Sequence, residues 1–552
     1  MQQGSKRKRE LEKVVEDDEE RGHPDLKKAL KRLQSSRVKS MNDQLAIFAN
    51  RKQLREAESL LRRMKKQKLA NTHTYAIAIN CYVRCEKIRK AEALLEEMSR
   101  SETARPEIVC YTSLLKGYCN AEHVQKDPEL LQAKELIDRM VKSNVIPNIR
   151  TCNTLLRGCL WVGASGVAQE ILLEMTKSWK IRPDESSWEY VVTLLCQSLK
   201  LQKALKLVRS VTRTTISNSS LMSMWCNVAQ CAALLGEVTI AREAMSIVQR
   251  TLSDHVTATA SISTVDNVEK EGEEKIAIIS GGKRGWHRQS KIRRENRKSD
   301  SRSESNSTFR SHRVDQIRRR VETIEAFLKN TNRIDLSKRP QYLLKVLSFW
   351  FPNKSIVKRR ELSKGFLKSL VKRFGLSQLL KRCEETLKEK DMGKIIAKSI
   401  TKQGHVKFQT VFSRIDDDDS RKPLNIELGC GSGEWAAAQA RVTEGRANWV
   451  ALELRHSRVY DVFARIVFEN ISNLCVVGGD ALELMKHHVA KETVSHFFVN
   501  HPEPPQQVAN ESFQESARNS EGRHMLSSQC FRLIHNALQR GGRVTIVTDN
   551  LW

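Results

Sequence analysis

The sequence lacks several features that would assign it to a membrane or secreted protein. No apolar run approaches the roughly 18 residues of a membrane-spanning helix, and the amino terminus has no apolar signal core. Its 13 cysteines lack the paired spacing of a disulfide framework or a zinc site. These absences predict a reduced intracellular protein with no membrane partner and no metal.

Acidic residues are scarce relative to basic ones. The 65 Asp and Glu residues face 95 Lys and Arg residues, which gives a formal net charge of +30. A charge of this size favours a polyanionic partner, and nucleic acid is the first expectation. The 552 residues are enough for about two to four domains, each with a core of its own.

The amino terminus bears on the compartment. The acidic run at 16–20 argues against an ordinary organelle transit peptide, and the basic cluster at 6–9 is typical of a nuclear address. We therefore expect the nucleus or cytoplasm, with an organelle as the alternative.

An alanine followed seven positions later by a methionine recurs between residues 41 and 250. The pairs are Ala57/Met64, Ala91/Met98, Ala133/Met140 and Ala168/Met175, at intervals of 34, 42 and 35 residues. Such a period is typical of a solenoid of two-helix units. Residues seven apart lie on one helix face, so the pairs are predicted to form the core between helices.

The repeats resemble pentatricopeptide repeats in how each unit opens and closes. The first helices occupy 75–82, 111–118 and 152–159, and the units close with Arg105-Pro106-Glu107, Ile146-Pro147-Asn148 and Arg182-Pro183-Asp184. The resemblance implies that two side chains per repeat read one base of single-stranded RNA. The matching pairs are Ala76 with Glu107, Thr112 with Asn148, and Asn153 with Asp184. The second pair implies adenine and the third uracil. A tetratricopeptide array that binds a protein is the structural alternative.

Composition divides the chain into five segments. They are a disordered tail of mixed charge at 1–40, helical repeats at 41–250, a disordered basic linker at 251–315, a basic helical segment at 316–410 and an α/β domain at 421–552. The linker has too few apolar residues to fold alone, and its Lys and Arg residues are expected to contact phosphate.

A glycine turn marks the start of the last domain. Gly429, Gly431 and Gly433 follow the apolar run 424–428 and precede a segment of helical composition. Glycine there supplies positive φ and lets a ligand approach the backbone. Glu453 and Asp480 close the next two apolar runs, where a carboxylate is placed to bind ribose hydroxyls. Together these strand ends are typical of an S-adenosylmethionine pocket.

Apolar segments alternate with helical ones throughout the last domain. They occupy 424–428, 448–452, 474–477, 496–500 and 543–548. Right-handed crossovers between such segments predict a parallel sheet with ligands at its carboxyl end. The predicted fold is therefore an all-α solenoid of helical hairpins followed by an α/β Rossmann-like methyltransferase domain.

The last domain resembles the bacterial-type tRNA (guanine-N7) methyltransferases. The resemblance lies in 426–434, 452–455, 473–481, 497–505 and 541–549, and it implies methyl transfer from S-adenosylmethionine to guanine 46 of the tRNA variable loop. Residues implied to hold the cofactor are Glu427, Gly429, Gly431, Gly433, Glu453, Asp480 and Glu503. Glu503 is also implied in catalysis, and Asp549 and Gln507 in substrate binding. Guanine N7 is an unprotonated acceptor, so the reaction needs alignment rather than a base.

The chain departs from that family at several positions. Glu503 stands for an aspartate and Gln507 for a lysine, while His501 and Pro505 replace aromatic residues. The family also continues past the position of Trp552 with a helix, two strands and a Thr-Lys-Phe-Glu motif, so we expect a domain shortened at its carboxyl end. An RNA-binding repeat protein with a non-catalytic methyltransferase-like domain is the second hypothesis.

Overall fold

The structure is a computed structural model that describes most of the repeats and of the last domain. The described residues are 24–100, 104–119, 127–211, 216–253, 314–329, 346–348, 401, 403, 405–408, 412, 422–502 and 525–548. Most of the predicted linker and of the 316–410 segment lies outside them, as do residues 1–23 of the predicted tail. Residues 24–40, which were predicted to be disordered, belong to a helix that continues to Asn50. Contacts divide the chain into two units, one reaching Thr154 and the other beginning, for the most part, at Leu155.

The first unit consists of antiparallel helices joined by short loops. The helices are α1 (Pro24–Asn50), α2 (Leu54–Lys66), α3 (Thr72–Arg84), α4 (Ile88–Arg100), α5 (Ile108–Tyr118) and α6 (Asp127–Lys142), followed by the start of α7 (Ile149–Val162). Helix α3 packs against α1, α4 and α5, which is the stacking of two-helix repeats. The predicted Ala/Met pairs of this unit are all buried, so the predicted core is confirmed.

The second unit continues with further repeat helices. They are α8 (Ser165–Lys177), α9 (Glu185–Gln197), α10 (Leu201–Val211), α11 (Asn218–Leu235) and α12 (238–253). Helix α9 packs against α8, α10 and α11. Ala168 and Met175 are buried, like the earlier pairs. A separate helix, α13 (314–329), belongs to the same unit.

A parallel sheet forms the rest of the second unit. Its strands are β1 (Val346–Ser348), β2 (Leu424–Leu428), β3 (Asn448–Glu453), β4 (Leu474–Gly478), β5 (Val494–Asn500) and β6 (Leu538–Val547), in the order β1-β4-β3-β2-β5-β6. The helices between them are α14 (Glu434–Val442), α15 (His456–Phe468), α16 (Ala481–His488) and α17 (Ser528–Ala537). The strand order reverses at β2, so the carboxyl end of β2 lies at the switch point where such sheets bind ligands.

The two edges of the sheet differ from its centre. Strands β3 and β4 are buried along their whole length, whereas β6 is exposed along most of its length. The short strand β1 falls within the 316–410 segment for which helices were predicted, and it pairs with β4 through Val346–Ser348. Main-chain bonding at an open sheet edge overrides the helical pattern there. Among the described residues, no helix is both long and apolar enough to span a bilayer.

Candidate functional site

The glycine turn lies between β2 and α14. Gly429, Gly431 and Gly433 all have φ between +60° and +72°, a region that side chains avoid. The amides of Gly429 and Cys430 donate to the carbonyl of Leu452, which ties the turn to the end of β3. A Cβ on Gly431 would meet open space, so the backbone here is accessible to a ligand.

Glu453 closes β3 and is held by backbone donors on both sides. Its carboxylate is 4% exposed; Oε2 accepts from the Gly431 amide at 2.9 Å and Oε1 from the Arg455 amide at 2.9 Å. The Arg458 guanidinium lies 3.9 Å from Oε2. Each carboxylate oxygen can accept a second hydrogen bond, so Glu453 is both fixed in place and able to bind a hydroxyl.

Glu427 lies one strand away on β2 and is 3% exposed. Its Oε1 accepts from Asn500 Nδ2 at 2.8 Å, while Oε2 has no hydrogen-bond partner among the described residues. The pKa of Glu427 is raised to about 7, chiefly by burial; the Asn500 hydrogen bond lowers it and the nearby Glu453 carboxylate raises it. A buried carboxylate oxygen without a donor is costly, so this atom indicates a place for a cationic or donor group of a ligand.

Asp480 follows β4 and has a different role in the structure. Its Oδ1 accepts from the amides of Leu482 at 2.9 Å and Glu483 at 3.0 Å, which caps α16. Gly479 just before it donates its amide to the carbonyl of Glu453. Asp480 is therefore tied to the end of β3 through Gly479, and one of its oxygens is used by the helix.

The structure brings most of the predicted cofactor residues to one end of the sheet. Glu427, Glu453 and Asp480 follow or end three adjacent strands, and the three glycines lie between the first two. Glu503, Gln507 and Asp549 lie outside the described residues. The sequence analysis did not assign Asn500 a role. The signal that could have identified it is an amide side chain at the end of β5, the strand next to β2. No His, Cys, Asp and Glu group suited to a metal ion occurs in the described part.

The predicted RNA-reading residues of the repeats form local hydrogen bonds. Thr151 donates its hydroxyl to Asn148 Oδ1 at 3.0 Å, so Thr112, 2.9 Å away and 5% exposed, donates to Thr151. The pair Thr112 and Asn148 is thus joined through a third side chain. Asp184 caps α9 by accepting from the Ser187 amide at 2.8 Å, and Asn153 is half-buried on α7.

Two parts of the chain match known families. Residues 421–552 match the family described as "Putative methyltransferase". Residues 70–120 and 106–160 match the pentatricopeptide (PPR) repeat family, and 135–195 match the pentatricopeptide repeat domain. The matches coincide with the parallel-sheet domain and the helical repeats.

Curated relatives support the same division. A tRNA (guanine-N(7)-)-methyltransferase of Chlamydia felis is 35% identical over 82 residues, which is 15% of this chain and 36% of that protein. A mitochondrial pentatricopeptide repeat-containing protein of Arabidopsis thaliana is 24% identical over 148 residues, 27% of this chain and 15% of that protein. The chain spans between 36% and 52% of the methyltransferases that it matches.

A solved structure similar to this chain is the pentatricopeptide repeat protein PPR10 in complex with an 18-nt psaJ RNA element. The identity is 22% with a TM-score of 0.26, and the match covers 36% of this chain and 27% of the other. The pentatricopeptide matches cover the repeat helices, and the methyltransferase match covers the parallel sheet from β2 onward. The chain thus contains a stretch that matches pentatricopeptide repeats, followed by a stretch that matches a putative methyltransferase family and is similar to tRNA (guanine-N(7)-)-methyltransferases.

Proposed function

We propose that the carboxyl-terminal domain binds S-adenosylmethionine and transfers its methyl group to N7 of guanine 46 in the tRNA variable loop, while the repeats bind RNA. The observation that carries the proposal is the carboxylate of Glu427, which is buried at the switch point of the sheet with one oxygen unpaired within the described part. A buried carboxylate oxygen without a donor is unfavourable, and a cationic group of a bound ligand would supply the missing interaction.

The residues present fit this cofactor. S-adenosylmethionine carries an ammonium group and a ribose diol, and it supplies an activated methyl group. Glu427 Oε2 is placed to accept from a cation, and the remaining lone pairs of Glu453 are placed to accept from hydroxyls. Gly431 leaves open space beside its backbone, so a ligand can approach the turn.

The chain's own residues then have separate tasks. Glu427 and Glu453 hold the cofactor, and the turn at Gly429–Gly433 sets the distance between them. We assign Glu503 to the guanine, where its carboxylate stabilises the positive charge that arrives on the purine, and Asp549 and Gln507 to tRNA contact. Because N7 carries a free lone pair, these residues orient and desolvate the reactants rather than remove a proton.

The repeats supply the RNA-binding part of the proposal. The pairs Thr112 with Asn148 and Asn153 with Asp184 are the side chains that we assign to base reading. The net charge of +30 adds affinity for phosphate that does not depend on sequence. The Arabidopsis relative is mitochondrial by name, so we propose an organelle as the compartment.

Methyl transfer tests the proposal directly. The protein is incubated with tritiated S-adenosylmethionine and tRNA that lacks 7-methylguanosine, and the digested RNA is examined for that nucleoside. We expect incorporation by the wild-type protein, loss in Glu427→Gln, and full activity in Glu444→Gln, which changes an exposed glutamate after α14. Cofactor binding without any transfer would support the non-catalytic RNA-binding reading instead.

Calorimetry separates the cofactor site from the RNA site. Glu427→Gln replaces a charge-assisted hydrogen bond by a neutral one, so S-adenosylmethionine affinity is expected to fall about ten- to hundredfold. RNA affinity is expected to stay near wild type. An equal loss of both affinities would show that the pocket is wrongly assigned.

A further inference from the structure

Helix α15 is buried over an unusually wide arc. Eight of its 13 residues are buried, and they are His456, Val459, Tyr460, Val462, Phe463, Ala464, Ile466 and Val467. A helix that covers one face of a sheet needs a single apolar stripe. The arc of α15 is wide enough for two contacts, one with the sheet and one with another element.

The second side of α15 contacts the repeat helices α9 and α11. Tyr460 is buried, which raises the pKa of its hydroxyl, and the nearby thiols of Cys231 on α11 and Cys196 on α9 raise that pKa further. At the end of α15, the ring of Phe468 lies 4.7 Å from that of Phe327 on α13. The methyltransferase domain and the last repeats therefore share a packed core through α15.

The end of repeat helix α7 contacts the start of α15. The Arg455 guanidinium lies over the ring of Trp161 at 3.9 Å from its centroid. Two residues further on, Gly163 has φ +75°, and a Cβ there would lie 2.8 Å from the imidazole of His456. Glycine is needed at this position both for the backbone conformation and for the close approach of the ring.

The same turn of α15 reaches the cofactor pocket on its other side. The Arg455 amide donates to Glu453 Oε1 at 2.9 Å. Arg455 occupies the N-cap position of α15 but supplies no side-chain capping bond. The Trp161 ring therefore contacts the residue from which α15 begins.

We propose that Trp161 and Gly163 are positioning residues for the cofactor pocket. They hold Arg455 and His456 at the first turn of α15, and this fixes the Arg455 amide that orients Glu453. The inference rests on the proposed function, because Glu453 matters here as a ligand of S-adenosylmethionine. It assigns the repeats a second role, as part of the support of the pocket.

A double-mutant cycle on the full chain tests the contact. S-adenosylmethionine affinity is measured by calorimetry for Trp161→Ala, Arg455→Ala and the double variant. The cation–ring contact accounts for about a three- to fivefold loss in each single variant. The double variant is expected to be no weaker than the weaker single variant, because both remove one contact. Trp161→Phe keeps a ring and is expected to recover most of the affinity. Trp179→Ala, in the loop after α8, serves as the control.

Gly163→Ala provides an independent test with a suppressor. The added Cβ meets the His456 ring, so cofactor affinity is expected to fall, and His456→Ala in the same chain is expected to restore part of it. If Gly163→Ala fails to fold, the Trp161 cycle still decides. Folded variants that bind like wild type, or losses that multiply in the double variant, would overturn the inference. A wild-type protein that does not bind the cofactor would instead overturn the proposed function.

Discussion

The repeats and the methyltransferase domain place acidic and amide side chains in different surroundings. In the repeats, Asn148 accepts from the Thr151 amide and hydroxyl, and Asp184 forms a reciprocal capping box with Ser187. In the domain, Glu427 is buried with one oxygen that no described donor reaches. The first arrangement stabilises a helix end through hydrogen bonds within the chain. The second is stable only at a cost, and a ligand removes that cost.

Asp480 lies between these two cases. It belongs to the pocket by position but caps α16 in the same way that Asp184 caps α9. The comparison therefore teaches that position at a strand end is a weaker indicator of ligand binding than an unsatisfied buried oxygen. The predictions below test this distinction.

The pH dependence of stability gives the largest expected effect. The pKa of Glu427 is about 7 in the folded protein against an ordinary value of 4.5. The folded state therefore holds a proton that the unfolded state releases, so the free energy of unfolding falls as pH rises from about 4.5 to about 7. The total loss is about 3 kcal/mol, since each pKa unit corresponds to about 1.4 kcal/mol.

Urea unfolding across this pH range checks the effect. Glu427→Gln is expected to reduce the fall in stability between pH 5 and pH 8 and to leave the part due to Asp461, whose pKa burial raises to about 6. Glu444→Gln changes an exposed glutamate and is expected to keep the whole fall. Parallel pH profiles for wild type and Glu427→Gln would show that Glu427 is not the titrating group.

The glycine turn gives the next effect. Gly433 has φ +72°, and a Cβ there would lie 2.7 Å from Val462 Cγ2 on α15. Gly433→Ala combines backbone strain with a clash, so we expect a loss of about 2–3 kcal/mol of stability. Gly431→Ala has the strain but no clash, and we expect a loss of about 1 kcal/mol. Thermal unfolding measures both losses. Equal losses would mean that Val462 on α15 moves away from the added Cβ without a loss of stability.

The central strands could be predicted from sequence because each is an apolar run bounded by turn residues. Strand β2 has the predicted bounds, and β3 and β4 each extend one residue further. Strand β6 begins at Leu538 rather than at 543. Leu538 pairs with Val494 and Arg543 pairs with His496, so the register between β5 and β6 is irregular around Gly541 and Gly542.

Long-range contacts in the site could not be predicted in the same way. Asn500 bonds to Glu427 across 73 residues of sequence, and a single sequence does not state which strands are neighbours. The contact of Trp161 with Arg455 joins two regions that composition treats as separate domains. The wide apolar arc of α15 was the one signal of a second packing surface in the sequence.

The two capping aspartates give a smaller effect of equal size in both regions. Asp480→Ala and Asp184→Ala each remove a helix cap, so we expect a loss of about 1 kcal/mol of stability in each. Replacement by Ser keeps a capping oxygen and is expected to restore most of it. Calorimetry then separates the regions: Asp480→Ser weakens S-adenosylmethionine binding only if the carboxylate also contacts the cofactor. Unchanged binding would make Asp480 a structural cap like Asp184.

The hydroxyl of Tyr460 gives the smallest effect and tests the surface between the two regions. It is buried against α9 and α11 and has no hydrogen-bond partner among the described residues. Tyr460→Phe removes a polar group that gains nothing from burial, so we expect stability to stay within about 0.5 kcal/mol of wild type or to rise. Glu427 also has a buried oxygen without a described donor. Unlike the Tyr460 substitution, its substitution is expected to change cofactor binding. A loss above about 1 kcal/mol in Tyr460→Phe, measured by thermal unfolding, would reveal a hydrogen bond at this hydroxyl.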